Sequence, residues 1–407
     1  MKKSNLPPCM LMLALISTAL KPSSWAVETD PITGGAYTKS YEFESKKDYT
    51  EALRALVQVR FAERSTYFYT LRTAWLDYLT SNKEEALTNY DRAISQFPDS
   101  IEPIVGRISV ESSLTKWDAV ERSAQAIIRA DPKNYTAHSN LAYAKFCQRR
   151  YGEAQKEYED VLKLYPYDLT MQAGLGWSLL WQGRKREGNS VFKDILEVAP
   201  SNDAAAKALG KEAPTTPSAT AGVYQRSYQA EAQGNYAEAL IALSELSGNE
   251  SKQPYFFHLR AGWLYYMLGQ YERSAASYGQ AASLAPNAVQ PLLGKAQPEA
   301  ALGKWDAAAK TLEAALGIDP RNYSARGSLA NAYYFLGRFK DSENTYREIL
   351  KEYPADIPAR SGLGWALLKQ TKKAEALREF RIILRVCPQH TLANQGLDEA
   401  NALAASK

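Results

Sequence analysis

The chain has 407 residues, of which 45% are hydrophobic and 23% charged, with a formal charge of +4. That length exceeds one compact core and predicts either several domains or an array of units that bury their apolar faces against one another. Lys2, Lys3 and Lys21 stand in the first 26 residues without an acid, so the remainder is near +1 (4−3), which removes general attraction to nucleic acid or an anionic membrane surface.

The N-terminus reads as a secretory signal over residues 1–26. Lys2 and Lys3 make a positive start, Cys9 to Leu20 (CMLMLALISTAL) is an apolar run, and Ser24-Trp25-Ala26 supplies small residues for cleavage after Ala26. The run falls short of the about 20 residues a spanning helix wants, and no other segment is long and apolar enough to span. The expected location is the periplasm; the alternative is a membrane anchor by an uncleaved signal, which Lys21 leaves open. Beyond the signal only Cys147 and Cys387 remain, so no disulfide framework is expected; a solenoid that brings only neighbouring repeats together would keep them apart.

Residues 27–36, with Pro31 and Gly34-Gly35, read as a flexible lead-in. A first unit follows at about Tyr37 to Arg64. From there a proline recurs at Pro98, Pro132, Pro166 and Pro200, a period of 34 (132−98, 166−132, 200−166), and again at Pro286, Pro320, Pro354 and Pro388. A fixed period of that size marks a repeat architecture. Within a unit apolar residues fall at helical spacing, as in Ala154, Tyr158, Val161 and Tyr165, and each proline ends a second helix because it lacks an N–H and clashes with the preceding turn. Small residues at Ala142, Gly176, Gly262, Ala330 and Gly364 stand twelve before Ala154, Gly188, Ser274, Ser342 and Ala376, which lets paired helices cross closely.

Gly210 to Gly222 (GKEAPTTPSATAG) breaks the rhythm and reads as a linker. After it the first block starts again. Trp75, Trp117 and Trp177 return as Trp263, Trp305 and Trp365, 188 residues on, and Gly174-Leu175-Gly176-Trp177 returns as Gly362-Leu363-Gly364-Trp365. The expected organisation is a five-repeat block over 37–209, a linker over 210–222, a second five-repeat block over 223–400 and a tail over 401–407.

Asn331-Ala332-Tyr333-Tyr334-Phe335-Leu336-Gly337-Arg338-Phe339, with Tyr346 and Pro354 beyond it, resembles the motif of the tetratricopeptide repeat family. About ten such units would cover Tyr37 to Ala400. The resemblance implies an all-α, right-handed superhelical solenoid whose first helices line a concave groove for a protein or extended peptide. Carried over by position, the groove residues are Phe68, Trp75, Tyr78, Tyr143, Phe146, Trp177 and Trp181 in the first block. In the second they are Phe256, Trp263, Tyr266, Asn331, Tyr334, Phe335 and Trp365. Aromatics supply large, stiff contact area with a polar edge, and such stripes also serve as packing; about half are expected to be core. Trp181 stands out because its counterpart is Lys369, so packing does not require tryptophan there. Trp117 and Trp305 open second helices and read as packing. The lysine–asparagine carboxylate clamp of some family members is missing, since its places hold Ser139 with Tyr143 and Gly327 with Asn331.

No catalytic set emerges. Of the three histidines, His138, His258 and His390, the first two lie near the starts of first helices in different blocks with no cysteine or carboxylate at ligand spacing to either, and Gly174-Leu175-Gly176 lacks the third glycine and the preceding strand of a dinucleotide loop. The expectation is a non-catalytic scaffold of the cell envelope without cofactor or metal. The alternative is a polysaccharide-binding, export-assisting protein whose aromatics stack on sugar rings.

Overall fold

The computed structural model describes residues 31–210, 213, 216–246 and 254–405, and among these every regular element is helical. In the first block the helices are α1 (Pro31–Ser45), α2 (Tyr49–Leu56), α3 (Tyr67–Leu79), α4 (Lys83–Gln96), α5 (Glu102–Ser113), α6 (Trp117–Ala130), α7 (Tyr135–Cys147), α8 (Tyr151–Leu164), α9 (Leu169–Trp181) and α10 (Lys185–Val198). A short α11 (Asp203–Leu209) follows. The second block has α12 (Ala219–Ala232), α13 (Tyr236–Ser244), α14 (Pro254–Met267), α15 (Tyr271–Leu284), α16 (Gln290–Ala301), α17 (Trp305–Ile318), α18 (Tyr323–Phe335), α19 (Phe339–Glu352), α20 (Ile357–Lys369) and α21 (Lys373–Val386), closed by α22 (Thr391–Ala405). Successive helices pair as hairpins and each hairpin packs on the next, giving the repeat solenoid.

Local chemistry explains the boundaries. Asn134, Asp168, Asn322 and Asp356 cap first helices by accepting from a backbone N–H three residues on. Each turn inside a hairpin passes through one residue of positive φ. It is Lys47, Ser81, Thr115, Arg149 and Gly183 in the first block, then Gly234, Gly269, Gly303, Gly337 and Thr371 in the second. The small-residue crossings are as tight as expected: a Cβ on Gly188 would lie 2.8 Å from the Gly176 carbonyl oxygen, and Ser274 donates to the Gly262 carbonyl at 2.7 Å. Between hairpins a tyrosine of one second helix fills the place of the next first helix's missing side chain. A Cβ on Gly174 or Gly362 would stand 2.3 Å from the ring of Tyr158 or Tyr346.

The larger departure from expectation lies between the blocks. Repeats far apart in sequence touch, because the proline-turn edge of one block packs along that of the other. Ile101 donates its backbone N–H to the Glu352 carbonyl at 2.9 Å, and Val289 donates to the Leu164 carbonyl at 3.0 Å. With the offset of 188, Ile101 corresponds to Val289 and Leu164 to Glu352, so the two bonds exchange partners. Such reciprocity is the property of a two-fold, isologous interface. Near the middle the buried Asp131 and Asp319 face one another's turns, where Lys133 bonds the Ile318 carbonyl. Toward the ends, Tyr167 stacks on Tyr255 at 5.5 Å, and Arg385 pairs with Glu63 at 3.3 Å.

That seam corrects several boundaries. Residues 31–36, expected as part of a flexible lead-in, belong to α1; Ala36 and Tyr37 are buried, and Gly34 lies against Pro388 of the second block. The packing orders what composition alone reads as loose. Residues 219–222 of the expected linker already form α12, capped by Ser218, and residues 401–405 of the expected tail continue α22. The expected signal over 1–26 lies outside the described residues.

Candidate functional site

Every first helix starts at the seam and runs away from it, which sorts the expected groove residues by position. Phe68 and Phe256, in the first turns of α3 and α14, are in the seam. Phe68 packs with Ile357 and Val386 of the other block, and the Arg360 guanidinium lies 5.7 Å from its ring centre. Phe256 sits between Tyr167 at 5.0 Å and Tyr224 at 5.3 Å. The residue seven places farther on the same helix is about 10 Å along at 1.5 Å per residue, clear of the other block.

At those places Trp75 and Trp263 are each 39% exposed. Each indole N–H donates to a glutamate of the preceding hairpin, Trp75 to Glu44 at 2.8 Å and Trp263 to Glu231 at 3.1 Å. The same carboxylates hold Arg72 and Arg260, both at 2.8 Å, and these guanidiniums lie 3.6 and 3.7 Å from the ring centres of Tyr41 and Tyr228. Both tryptophans are thus fixed at one edge with a face left open. The arginine–glutamate support was missed in the sequence, although Leu71-Arg72 returning as Leu259-Arg260 signalled it. Tyr78 and Tyr266 are half-buried behind them, at ring distances of 5.8 and 6.4 Å.

Tyr143 is 52% exposed and meets Trp117 edge-on at 5.6 Å. Phe335 is 57% exposed and lies flat on Trp305 at 4.2 Å. The tryptophans that open α6 and α17 therefore pack beneath outward-facing rings. Trp181 is 61% exposed and lies nearly parallel to Tyr151, 5.8 Å away, while Phe146 is half-buried against the same tyrosine at 5.3 Å. Asn331 is exposed and accepts from the Tyr346 hydroxyl at 2.7 Å. Tyr334 is half-buried between Phe335 and Phe339.

Trp177 and Trp365 belong to the packing. Each is half-buried edge-on against the fully buried phenylalanine of its second helix, Phe192 at 5.3 Å and Phe380 at 5.8 Å. The open faces are therefore Trp75, Tyr143 and Trp181 in one block and Trp263, Asn331 and Phe335 in the other.

His138 and His390 are occupied structurally, His390 Nδ1 accepting from the Ala393 N–H at 3.1 Å. His138 bonds Glu157 at 2.7 Å and the Pro132 carbonyl at 3.0 Å. Burial works to lower its pKa, but these two bonds outweigh it and hold the imidazole above its ordinary value. Among the described residues no group of three or more His, Cys, Asp or Glu is placed to hold a metal, and Cys147 and Cys387 are free thiols raised by burial.

Among known proteins, tetratricopeptide repeat family models match residues 70–100, 259–323 and 299–359. The small glutamine-rich tetratricopeptide repeat-containing protein 2 of Saccharomyces cerevisiae is 29% identical over 91 residues, 21% of this chain; the match spans 26% of that relative's length. A tetratricopeptide repeat protein from Parabacteroides merdae is similar in structure over 62% of this chain and 92% of its own, at 17% identity and a TM-score of 0.40. Yeast Tom70 is similar over 93% of this chain and 97% of its own, at 13% identity and a TM-score of 0.37.

Proposed function

This chain is a tetratricopeptide repeat protein, a family that binds protein partners, and we propose that it is a non-catalytic scaffold of the cell envelope. Its partner lies across the outer halves of the first helices, as an extended peptide or a protein surface. The observation that carries this reading is the set of outward rings at Trp75, Tyr143, Trp181, Trp263 and Phe335, 39–61% exposed yet each fixed by a bond or ring contact beneath it. Rigid aromatics of this kind lose little entropy on binding and dominate hot spots. Export through the signal over 1–26 places the scaffold in the periplasm. Among the described residues no helix is long and apolar enough to cross a membrane.

Photocrosslinking in the native host tests the proposal, with benzoylphenylalanine at Trp75 or Asn331 and adducts identified by mass spectrometry. Discrete protein adducts at both positions are expected. A polydisperse, protease-resistant adduct would replace the protein partner by polysaccharide, and no adduct at either position would remove these faces from binding. An N-terminus at Val27 in the purified protein is the expected mark of cleavage after Ala26.

A further inference from the structure

One histidine stands where its charge bears on the seam. The side chain of His138, near the start of α7, is 14% exposed, and both of its ring nitrogens face acceptors. Nδ1 lies 2.7 Å from Glu157 Oε2 on α8, and Nε2 lies 3.0 Å from the Pro132 carbonyl oxygen. Burial works against the charge of Glu157, but bonds from His138 and from the Lys145 ammonium, 2.8 Å from its other oxygen, outweigh it and hold the carboxyl below its ordinary value. A carbonyl and an ionised carboxylate only accept, so each contact needs a donating nitrogen. A neutral imidazole has one N–H and serves one of the two. Only the imidazolium serves both.

Pro132 belongs to the turn at the middle of the seam. There the Asn134 N–H donates to the Asp131 carbonyl at 3.1 Å, Asp131 is buried, and Lys133 bonds the Ile318 carbonyl of the other block. At the offset of 188 the counterpart of His138 is Arg326, which holds the carboxylate of Glu352 at 2.9 and 2.6 Å, while the Glu352 carbonyl receives Ile101 across the seam. Each block thus sets a cation behind its seam edge, one permanent and one whose charge changes near neutrality. From α8 the ring is faced by Glu157 and Asp160, and Lys145 of its own helix shares Glu157. The turn carries Asp131 and Lys133, and across the seam Arg326 feels both Glu352 and Asp131.

We propose that His138 is a pH-sensitive latch on the seam between the two blocks. As the imidazolium it ties α8 to the Pro132 turn and so holds Lys133 against the other block. When the proton leaves to solvent, the carboxylate, as the stronger acceptor, keeps the remaining one on Nδ1. Nε2 then meets the Pro132 carbonyl lone pair to lone pair, and the turn loosens. Because the folded state holds this imidazole above its ordinary value, the latch is fully set below about 6.5 and is lost as pH rises through the folded value. Acid closes the seam and mild alkali loosens it, whatever the outer rings bind. Glu102, in the same seam, also favours its protonated form.

Hydrogen exchange of the full chain tests the latch, read by mass spectrometry on peptides over residues 131–138 and corrected for the pH dependence of the intrinsic rate. The Asn134, Ala137 and His138 amides in that segment are bonded within the turn and report its closure. Between pH 5.5 and 8.5 their protection should fall at least about tenfold, as loss of a bond to a charged group does. His138→Arg, which installs the second block's residue, should abolish that fall while the segment around Ile101 keeps the response that Glu102 gives it. His138→Gln, with one donor at every pH, should leave the turn poorly protected at both values. Thermal melts at pH 5.5 check that the variants fold, and either variant alone suffices. Protection of the turn that does not change with pH in the natural chain, or a fall of the same size in either variant, would overturn the inference.

Discussion

Ile101 and Glu352, from opposite blocks, are joined by a 2.9 Å backbone hydrogen bond that Val289 and Leu164 repeat in reverse at 3.0 Å. The Glu352 carbonyl also accepts from Ser100 Oγ at 2.9 Å, and Ser100 meets the Tyr67 hydroxyl at 3.0 Å. The carboxylate of Glu352 is held by Arg326 at 2.9 and 2.6 Å. A duplication thus supplied two copies of one edge, and the copies closed on each other within one chain. Ser100→Ala leaves a seam carbonyl with one donor fewer and should cost about 1 kcal/mol. Because the seam couples the blocks, calorimetry should show a single transition shifted downward; two separated transitions would mean that the blocks melt independently.

Glu102 makes the seam pH-sensitive. Burial pushes its carboxyl from 4.5 up to about 7, against bonds from the Ala355 N–H at 3.3 Å and the Tyr67 hydroxyl at 3.1 Å and the pull of Arg360; Asp356 adds to the rise. A carboxyl with a raised pKa in the folded state binds its proton more tightly there than when unfolded. Stability from this group is therefore greatest below about 4.5, declines as pH climbs to about 7, and is flat beyond, a change on the order of 3 kcal/mol. Glu102→Gln, which installs the counterpart Gln290, should lessen the fall in melting temperature between pH 5 and 7.5. An unchanged slope would assign the dependence to other groups.

The turn inside each hairpin offers a local test. Thr115 has φ of +55° where its counterpart Gly303 has +69°. A β-branched residue is strained in that region and glycine is not. Thr115→Gly should stabilise by roughly 1 kcal/mol and Gly303→Thr should destabilise by about as much, read from urea midpoints at constant slope. Equal midpoints for the first variant would show that its strain is relieved elsewhere.

Packing between hairpins can be probed at Gly362, where a Cβ would meet Tyr346 at 2.3 Å. Gly362→Ala should cost about 1–3 kcal/mol through overpacking. In a Tyr346→Leu background, which removes the ring, the same substitution should cost measurably less. Additive effects in that double-mutant cycle would contradict the contact.

Trp177 and Trp181 should separate packing from binding. Trp177 lies on the buried Phe192, so Trp177→Ala should lower stability by about 3 kcal/mol or more. Trp181→Ala should leave the melting temperature within a few degrees while weakening partner capture, because its ring is 61% exposed. A large fall in melting for Trp181→Ala would place that ring in the core.

The helices, their pairing and their period were legible in the sequence, because each signal is local. Pro132 and Pro320 stop helices, Asn134 and Asn322 start them, and Gly176 opposite Gly188 sets a crossing within one hairpin. The duplication was equally plain from Trp75 to Trp263. Tertiary structure alone decided that the two proline-turn edges meet. The residues at that seam, Ile101, Leu164, Val289 and Glu352, already have local reasons to be what they are as helix ends, and a backbone hydrogen bond leaves no side-chain signature. The same closure sorted the aromatics. Phe68 and Trp75 lie seven residues apart on one helix and look alike in sequence, yet one faces the other block and one faces water. Composition fixes what a ring can do, and only the arrangement of distant segments decides whether it remains free to do it.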